Sequence, residues 1–190
     1  MNGLKDLDID IRWTSLQALG NLGIQHNCSS IMKLLKYEKS DYVKEAAVQA
    51  IGNLKCTSAV TDLMNFVKED EPRIGVFEES LYALAKIGDT RVIPELLDIA
   101  NKLNEKSYGY DRNAYYLLGA VSEFEDPGNT DILIKFFNET KIPFTVMSVM
   151  VLSKINDPRA DVLLKKALSS DDLETKAYAE YYLWKRKQYL

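Results

Sequence analysis

Ala18-Leu19-Gly20-Asn21-Leu22 returns as Ala50-Ile51-Gly52-Asn53-Leu54, and again, altered, as Ala83-Leu84-Ala85-Lys86-Ile87. A period of this size marks an array of stacked units and decides the fold before any local propensity does. Taking Leu19, Ile51, Leu84, Leu118, Leu152 and Leu183 as anchors, the spacings are 32, 33, 34, 34 and 31 residues. Four residues before each anchor stand Ser15, Ala47, Ser80, Ala114, Ser148 and Ala179, all small. Eight before stand Ile11, Val43, Val76, Tyr110, Phe144 and Thr175, and three after stand Leu22, Leu54, Ile87, Val121, Ile155 and Arg186. Offsets of −8, −4, −1, 0 and +3 fall on one stripe of an α-helix. The constant small residue lets a neighbouring helix approach closely.

A second helix follows each of the first five anchors. Its core reads Ile31-Leu34-Leu35, Val60-Leu63-Met64, Ile93-Leu96-Leu97, Ile132-Leu133-Phe136 and Leu163-Leu164-Ala167. Asp157-Pro158 places a capping carboxylate before a proline suited to a first helical turn. Asp126-Pro127-Gly128, Thr57-Ser58 and Asp89-Thr90 supply similar signals, and Ser40-Asp41, Glu71-Pro72 and Ile142-Pro143 open the next units. No alternating apolar run bounded by hairpin turns competes. The pattern predicts first helices near 10–22, 41–54, 74–87, 110–123, 143–155 and 171–187. Second helices are expected near 28–37, 58–69, 91–104, 130–138 and 159–169. The expected fold class is all-α, a right-handed α-α superhelix of five helix pairs plus a C-terminal capping helix. The whole chain, 1–190, is expected to be a single repeat domain, with units at about 10–40, 41–71, 72–107, 108–141 and 142–170 and a cap at 171–190.

Composition bounds the function. Of 190 residues, 46% are apolar and 27% charged, with a net charge of −4. Such a chain buries a core and is not disordered. No apolar run spans a membrane, and Met1 to Asp10, with three aspartates, does not read as a secretory signal. Two cysteines do not make a disulfide scaffold. Residues 1–95 hold 11 basic and 14 acidic side chains and residues 96–190 hold 13 and 14, so neither half suits a phosphate backbone. These features point to a cytoplasmic protein with no nucleic-acid or membrane partner.

Val43-Lys44-Glu45-Ala46-Ala47-Val48-Gln49-Ala50-Ile51-Gly52-Asn53-Leu54 resembles the first helix of a HEAT repeat, and more narrowly the HEAT-like repeats named after phycobilisome lyases. Asp89-Thr90-Arg91-Val92-Ile93-Pro94-Glu95-Leu96-Leu97 resembles the second helix of that unit. The resemblance runs from about residue 10 to 187 and implies an α-solenoid. It specifies stacking rather than an activity. Terminal units of such arrays need a polar outer face. Glu180 stands where earlier units have Leu16, Val48, Leu81, Tyr115 and Val149, so the last helix reads as a cap, with Arg186 a second polar substitution. Leu4 and Leu7 read as the remnant of a preceding helix.

Chemistry-bearing residues are sparse. The one histidine, His26, precedes Cys28, and Cys56 lies in the corresponding turn of the next unit. A metal site or a cysteine nucleophile there lacks a further ligand or orienting group, and the three read as loop residues. No cofactor, metal or catalytic residue is assigned. The family resemblance also implies two enzymatic alternatives. One is a lyase, or its accessory subunit, acting on a chromophore-bearing protein. The other is a DNA glycosylase, whose basic groove this chain lacks; Trp13 and Trp184 lie in the end units.

The expected function is non-catalytic protein–protein binding, as an adaptor, regulator or immunity-type inhibitor, by a monomer or a member of a hetero-complex. The second helices line the concave face of a solenoid. Their polar residues are Lys33 and Lys36, Asp62 and Asn65, Glu95 and Asp98, then Asp131, Lys135 and Lys165. The acidic middle suggests a partner with a basic surface, against ordinary solvated helix faces. A second candidate contact site is Tyr108 and Tyr110, beside Tyr115 and Tyr116 at an insert before the fourth unit.

Overall fold

The computed structural model describes residues 2–69, 74–106, 112–124, 130–140 and 144–188. Helices form where the period demands them, and no strand occurs among the described residues. The helices gather into two compact units, Met1–Asp89 and Thr90–Leu190.

The first unit opens with a 3-10 turn, Asn2–Lys5, followed by α1 (Ile9–Leu22), α2 (Cys28–Tyr37), α3 (Asp41–Asn53), α4 (Val60–Val67) and α5 (Ile74–Ile87). Here α3 packs against α1 and α5, α2 packs against α3, and α4 packs against α5. The second unit holds α6 (Ile93–Lys106), α7 (Arg112–Ser122), α8 (Thr130–Glu139), α9 (Val146–Lys154), α10 (Pro158–Ala167) and α11 (Leu173–Gln188). In it α7 packs on α6 and α9, and α11 on α9 and α10. The eleven α-helices of the described residues lie where the repeat placed them, to within a few residues at their ends.

The shifts at helix ends have local causes. A 3-10 turn, Thr57–Ala59, precedes α4, and Thr90–Val92 precedes α6, so these helices start later than their cap signals. The α9 helix starts at Val146 because the Thr145 hydroxyl accepts from the Ser148 N–H. Asp157 caps α10 as expected, accepting from the Arg159 N–H at 2.8 Å with Pro158 in the first turn. Ser40 precedes α3 without a side-chain cap. Glu38 instead accepts from the N–H groups of Lys39 and Ser40, both at 2.9 Å. The chain leaves the first helices through a left-handed residue at one repeat position: Gly23 at φ 68°, Lys55 at 51° and Gly88 at 78°.

The anchor stripe is the core. Ile51, Leu84, Leu118 and Leu152 are fully or almost fully buried, as are Ala47, Ser80, Ala114, Ser148 and Ala179 four residues before the anchors. Ser80 satisfies its hydroxyl by donating to the Val76 carbonyl at 2.7 Å. A close backbone approach falls one residue after the anchor. A Cβ on Gly20 would stand 3.1 Å from Ala50 Cα, and one on Gly52 would stand 2.7 Å from Ala83 Cα. Glycine after one anchor therefore receives the alanine before the next, which draws the first helices together.

The last helix terminates its unit differently from the expectation. Glu180 is exposed, as a polar cap requires. Arg186 turns inward. Its guanidinium donates to the carbonyls of Leu152 at 2.9 Å and Ser153 at 3.2 Å and to that of Ile155, and it pairs with Asp161. A charged residue in the apolar +3 position thus adds a charged donor to the carbonyls at and just after the end of α9.

Candidate functional site

The polar residues expected on the second helices are all exposed, and they divide between the two units. Lys33 and Lys36 lie on α2, with Asp62 and Asn65 on α4. Lys36 stands 5.7 Å from the ring centroid of Tyr37. In the second unit, Glu95 and Asp98 lie on α6, Asp131 and Lys135 on α8, and Lys165 on α10. Tyr108 and Tyr110 lie outside the described residues.

Two of the expected acidic residues are already paired. Asp98 accepts from Lys102 at 2.5 Å, an i,i+4 pair along α6, and this holds the Lys102 ammonium above its ordinary pKa. Asp131 accepts from Arg159 at 2.7 Å. Arg159 also binds Asp157, whose pKa is pushed down to about 2 by the guanidinium and by the Arg159 N–H. The charges offered by α6 and α8 are therefore fewer than the sequence suggests.

What the sequence did not reveal is the floor between these helices. A groove of about 520 Å³ runs between α6 and α8, lined by Leu97, Ile132 and Phe136 and edged by Asp98, Lys135 and Glu139. Asn101 closes it, accepting from the Thr140 hydroxyl at 2.7 Å. Ile132 is 36% exposed, and Phe136 is half-buried. The groove exists because Ile132 and Phe136 lie four residues apart, on one side of α8. The packed face of α8, Leu133, Ile134 and Phe137, lies beside them. The signal was present in the core reading, which assigned Ile132 and Phe136 to the interior. An apolar floor with a mixed-charge rim can seat side chains of another protein: the floor drives association and the rim orients it.

Cys28 and Cys56 are joined by a disulfide, with their Cα atoms 5.7 Å apart. Reading them as loop residues without a role is overturned. The bond ties the start of α2 to the turn before α4, across corresponding turns of adjacent repeats. Bonded sulfurs serve neither as thiolate ligands nor as a nucleophile, and no group of three His, Cys, Asp or Glu side chains able to hold a metal occurs among the described residues. No described helix is long and apolar enough to cross a membrane.

No match is found among curated proteins. Among solved structures, the chain is similar to the complex of CpcE and CpcF of phycocyanin lyase from Nostoc sp. PCC7120. The identity is 18%, covering 94% of this chain and 72% of that one, with a TM-score of 0.59. It is also similar to a designed armadillo repeat protein, at 16% identity over 96% of each chain, with a TM-score of 0.45. Residues 29–107 match the family model of HEAT repeats. The chain thus carries HEAT repeats over residues 29–107 within an all-α, solenoid-type repeat fold.

Proposed function

We propose that this chain is a non-catalytic protein-binding module, acting as an adaptor or regulator, and that the exposed sides of its second helices receive the partner. The observation that carries this reading is the groove between α6 and α8, with Ile132 and Phe136 open to solvent beneath a rim of Asp98, Lys135 and Glu139. Solvated helix faces that serve only solubility do not keep a phenylalanine and an isoleucine at the floor of a cleft. The partner contributes apolar side chains to the floor and a basic group toward Glu139. The test begins with affinity purification from the native cell and identification of a stoichiometric partner. Phe136→Ala and Lys135→Glu, measured by calorimetry with that partner, should each weaken binding at least tenfold. Unchanged affinity in both would refute the assignment of this groove.

A second reading draws on the likeness to a phycocyanin lyase complex: an accessory subunit acting on a chromophore-bearing protein. Visible absorbance after co-expression with a bilin would favour it. As for location, disulfides persist in oxidising compartments and are uncommon in a reducing cytosol. The composition-based expectation of a cytoplasmic protein therefore stands against the Cys28–Cys56 bond. The oxidised fraction in cells, read from thiol alkylation, decides between them.

A further inference from the structure

The first helices of the repeats have a giving and a receiving side. On the giving side, Gly20 of α1 meets Ala50 and Gly52 of α3 meets Ala83. The receiving side of α3 consists of Val43, Ala46, Ala50 and Leu54, all buried, with Val43 0% and Leu54 2% exposed. The same repeat positions of α1 are Ile11, Thr14, Ala18 and Leu22. Their chemistry matches that of α3: an aliphatic residue at each end and an alanine at the point of closest approach. Their environment does not. Ile11 is 45% and Leu22 64% exposed, and Thr14 and Ala18 are exposed between them. The 3-10 turn Asn2–Lys5 covers one end only, with Leu4 buried and Gly3 against Ser15 and Ile11.

We propose that this side of α1 is a docking surface for the first helix of a HEAT-type repeat carried by a partner protein. Two features select that occupant. Ala18 repeats Ala50 and Ala83, so the surface accepts a helix that brings glycine or alanine to that point, as Gly20 and Gly52 do within the chain. Asp8 and Asp10, both exposed, edge the surface at the start of α1, so the docking helix carries basic side chains near that edge. A second copy joined head to tail does not fit. In α11 the position of Gly20 and Gly52 is held by Trp184, 59% exposed, and the neighbouring apolar position by Glu180, also exposed. The indole would hold the two backbones apart. This surface is separate from the groove between α6 and α8, and either assignment can fail without the other.

The test supplies a repeat of known sequence. A second copy of residues 9–40 replaces residues 1–8 at the head of the chain, so that Gly20 of the added copy faces Ala18. Docking should raise the midpoint of thermal unfolding by about 5 °C or more, because each repeat stabilises its neighbour. Amide exchange across Ile9–Leu22 of the original copy should slow at least tenfold. Both gains should vanish with Gly20→Trp in the added copy or Ala18→Trp in the original. Ala18→Trp in the natural chain should leave its midpoint unchanged. An extended chain with no gain, one that fails to fold, or one whose gain survives both tryptophans overturns the proposal. So does a natural chain that sediments as a dimer and becomes monomeric with Ala18→Trp, because a second copy then occupies the surface.

Discussion

Replacing Gly52 by alanine sets two effects against each other, and the geometry decides the sign. Alanine is better than glycine in a helix by up to about 1 kcal/mol. The added Cβ would stand 2.7 Å from Ala83 Cα and 2.9 Å from Ala83 Cβ, backbone and near-backbone atoms that cannot swing aside. Reaching ordinary contact moves α3 from α5 by the better part of an ångström. A gap of that size forfeits roughly a quarter to a half of each van der Waals contact it opens. Val48, Ile51, Leu81 and Leu84, all 0–1% exposed, lie in the tightly packed cores of these two helices. Overpacking costs about 1–3 kcal/mol, so Gly52→Ala destabilises by about 1–2 kcal/mol net and lowers the unfolding midpoint by about 2–8 °C. Two related glycines calibrate the argument. At Gly20 the nearest atom is at 3.1 Å, a strain of a few tenths of an ångström, and Gly20→Ala should fall within about 0.5 kcal/mol of neutral. At Gly119 the nearest atoms are the sulfur and methyl of Met147 at 3.4 and 3.5 Å, a flexible side chain. Gly119→Ala should therefore stabilise by up to about 1 kcal/mol. Urea unfolding followed by far-ultraviolet circular dichroism gives all three. A Gly52→Ala protein as stable as the parent, or a series in any other order, would refute the claim that close backbone approach at Gly52 sets the spacing of α3 and α5.

Reducing the Cys28–Cys56 bond, or replacing Cys28 by alanine, frees a loop with a sequence separation of 28 residues. Loop-closure entropy then predicts a loss of about 3.5 kcal/mol, and differential scanning calorimetry with and without reductant should show a midpoint lower by about 10 °C. No difference would mean that the thiols are unbonded in solution. Stability should also fall in acid through Glu38. Burial opposes its ionisation, but the Arg12 guanidinium and the N–H groups of Ser40 and Lys39 outweigh burial and hold its pKa below the ordinary glutamate value. A depressed folded value contributes stability above the unfolded pKa, and that contribution is lost as pH falls through the folded one. Denaturation below about pH 4 should be shallower in Glu38→Gln. In the same titration, carbon NMR should find the Asp157 carboxylate still ionised at about pH 3; a midpoint in the ordinary aspartate range would contradict its bond to Arg159.

The helices could be read from the sequence because one-dimensional periodicity encodes their packing. Ile51, Leu84, Leu118 and Leu152 are buried at one repeat position, so the stripe reports the core of each unit. Partners in space were not readable by the same rule applied to single residues. Asp131 looked like free acidic surface, but Arg159 reaches it from the next second helix. Arg186 looked like an outward cap, but the carbonyls that attract it belong to the end of α9, more than thirty residues earlier. The two cysteines occupy corresponding turns and looked unremarkable because a single pair gives no repeating signal. The groove between α6 and α8 was hidden for the opposite reason. Ile132 and Phe136 obey the helical period, and periodicity does not say whether the neighbour that should cover them is there.

The polar pairs nevertheless follow the repeat, and this narrows the binding surface. Gln17 donates to Gln49 at 2.7 Å, both two residues before an anchor. Lys86 donates to Asn53 at 2.8 Å, both two residues after one. Arg159 to Asp131 and Lys166 to Asn138 are offset by 28 residues along successive second helices. A side chain engaged in such a ladder has its charge or amide turned toward the neighbouring repeat, and recruiting it to a partner would first break that bond. Removing the paired residues from the second helices leaves Lys33, Lys36, Asp62, Asn65, Lys135, Glu139 and Lys165, which are exposed and whose side chains make no hydrogen bond or ion pair to a described residue. In the second unit, Lys135 and Glu139 stand one helical turn apart on the rim of the groove, and Lys165 lies apart from it on α10. The groove is therefore one place in that unit where free charge and open apolar surface coincide. A partner placing a cation at Glu139 and an anion at Lys135 would break no bond already made.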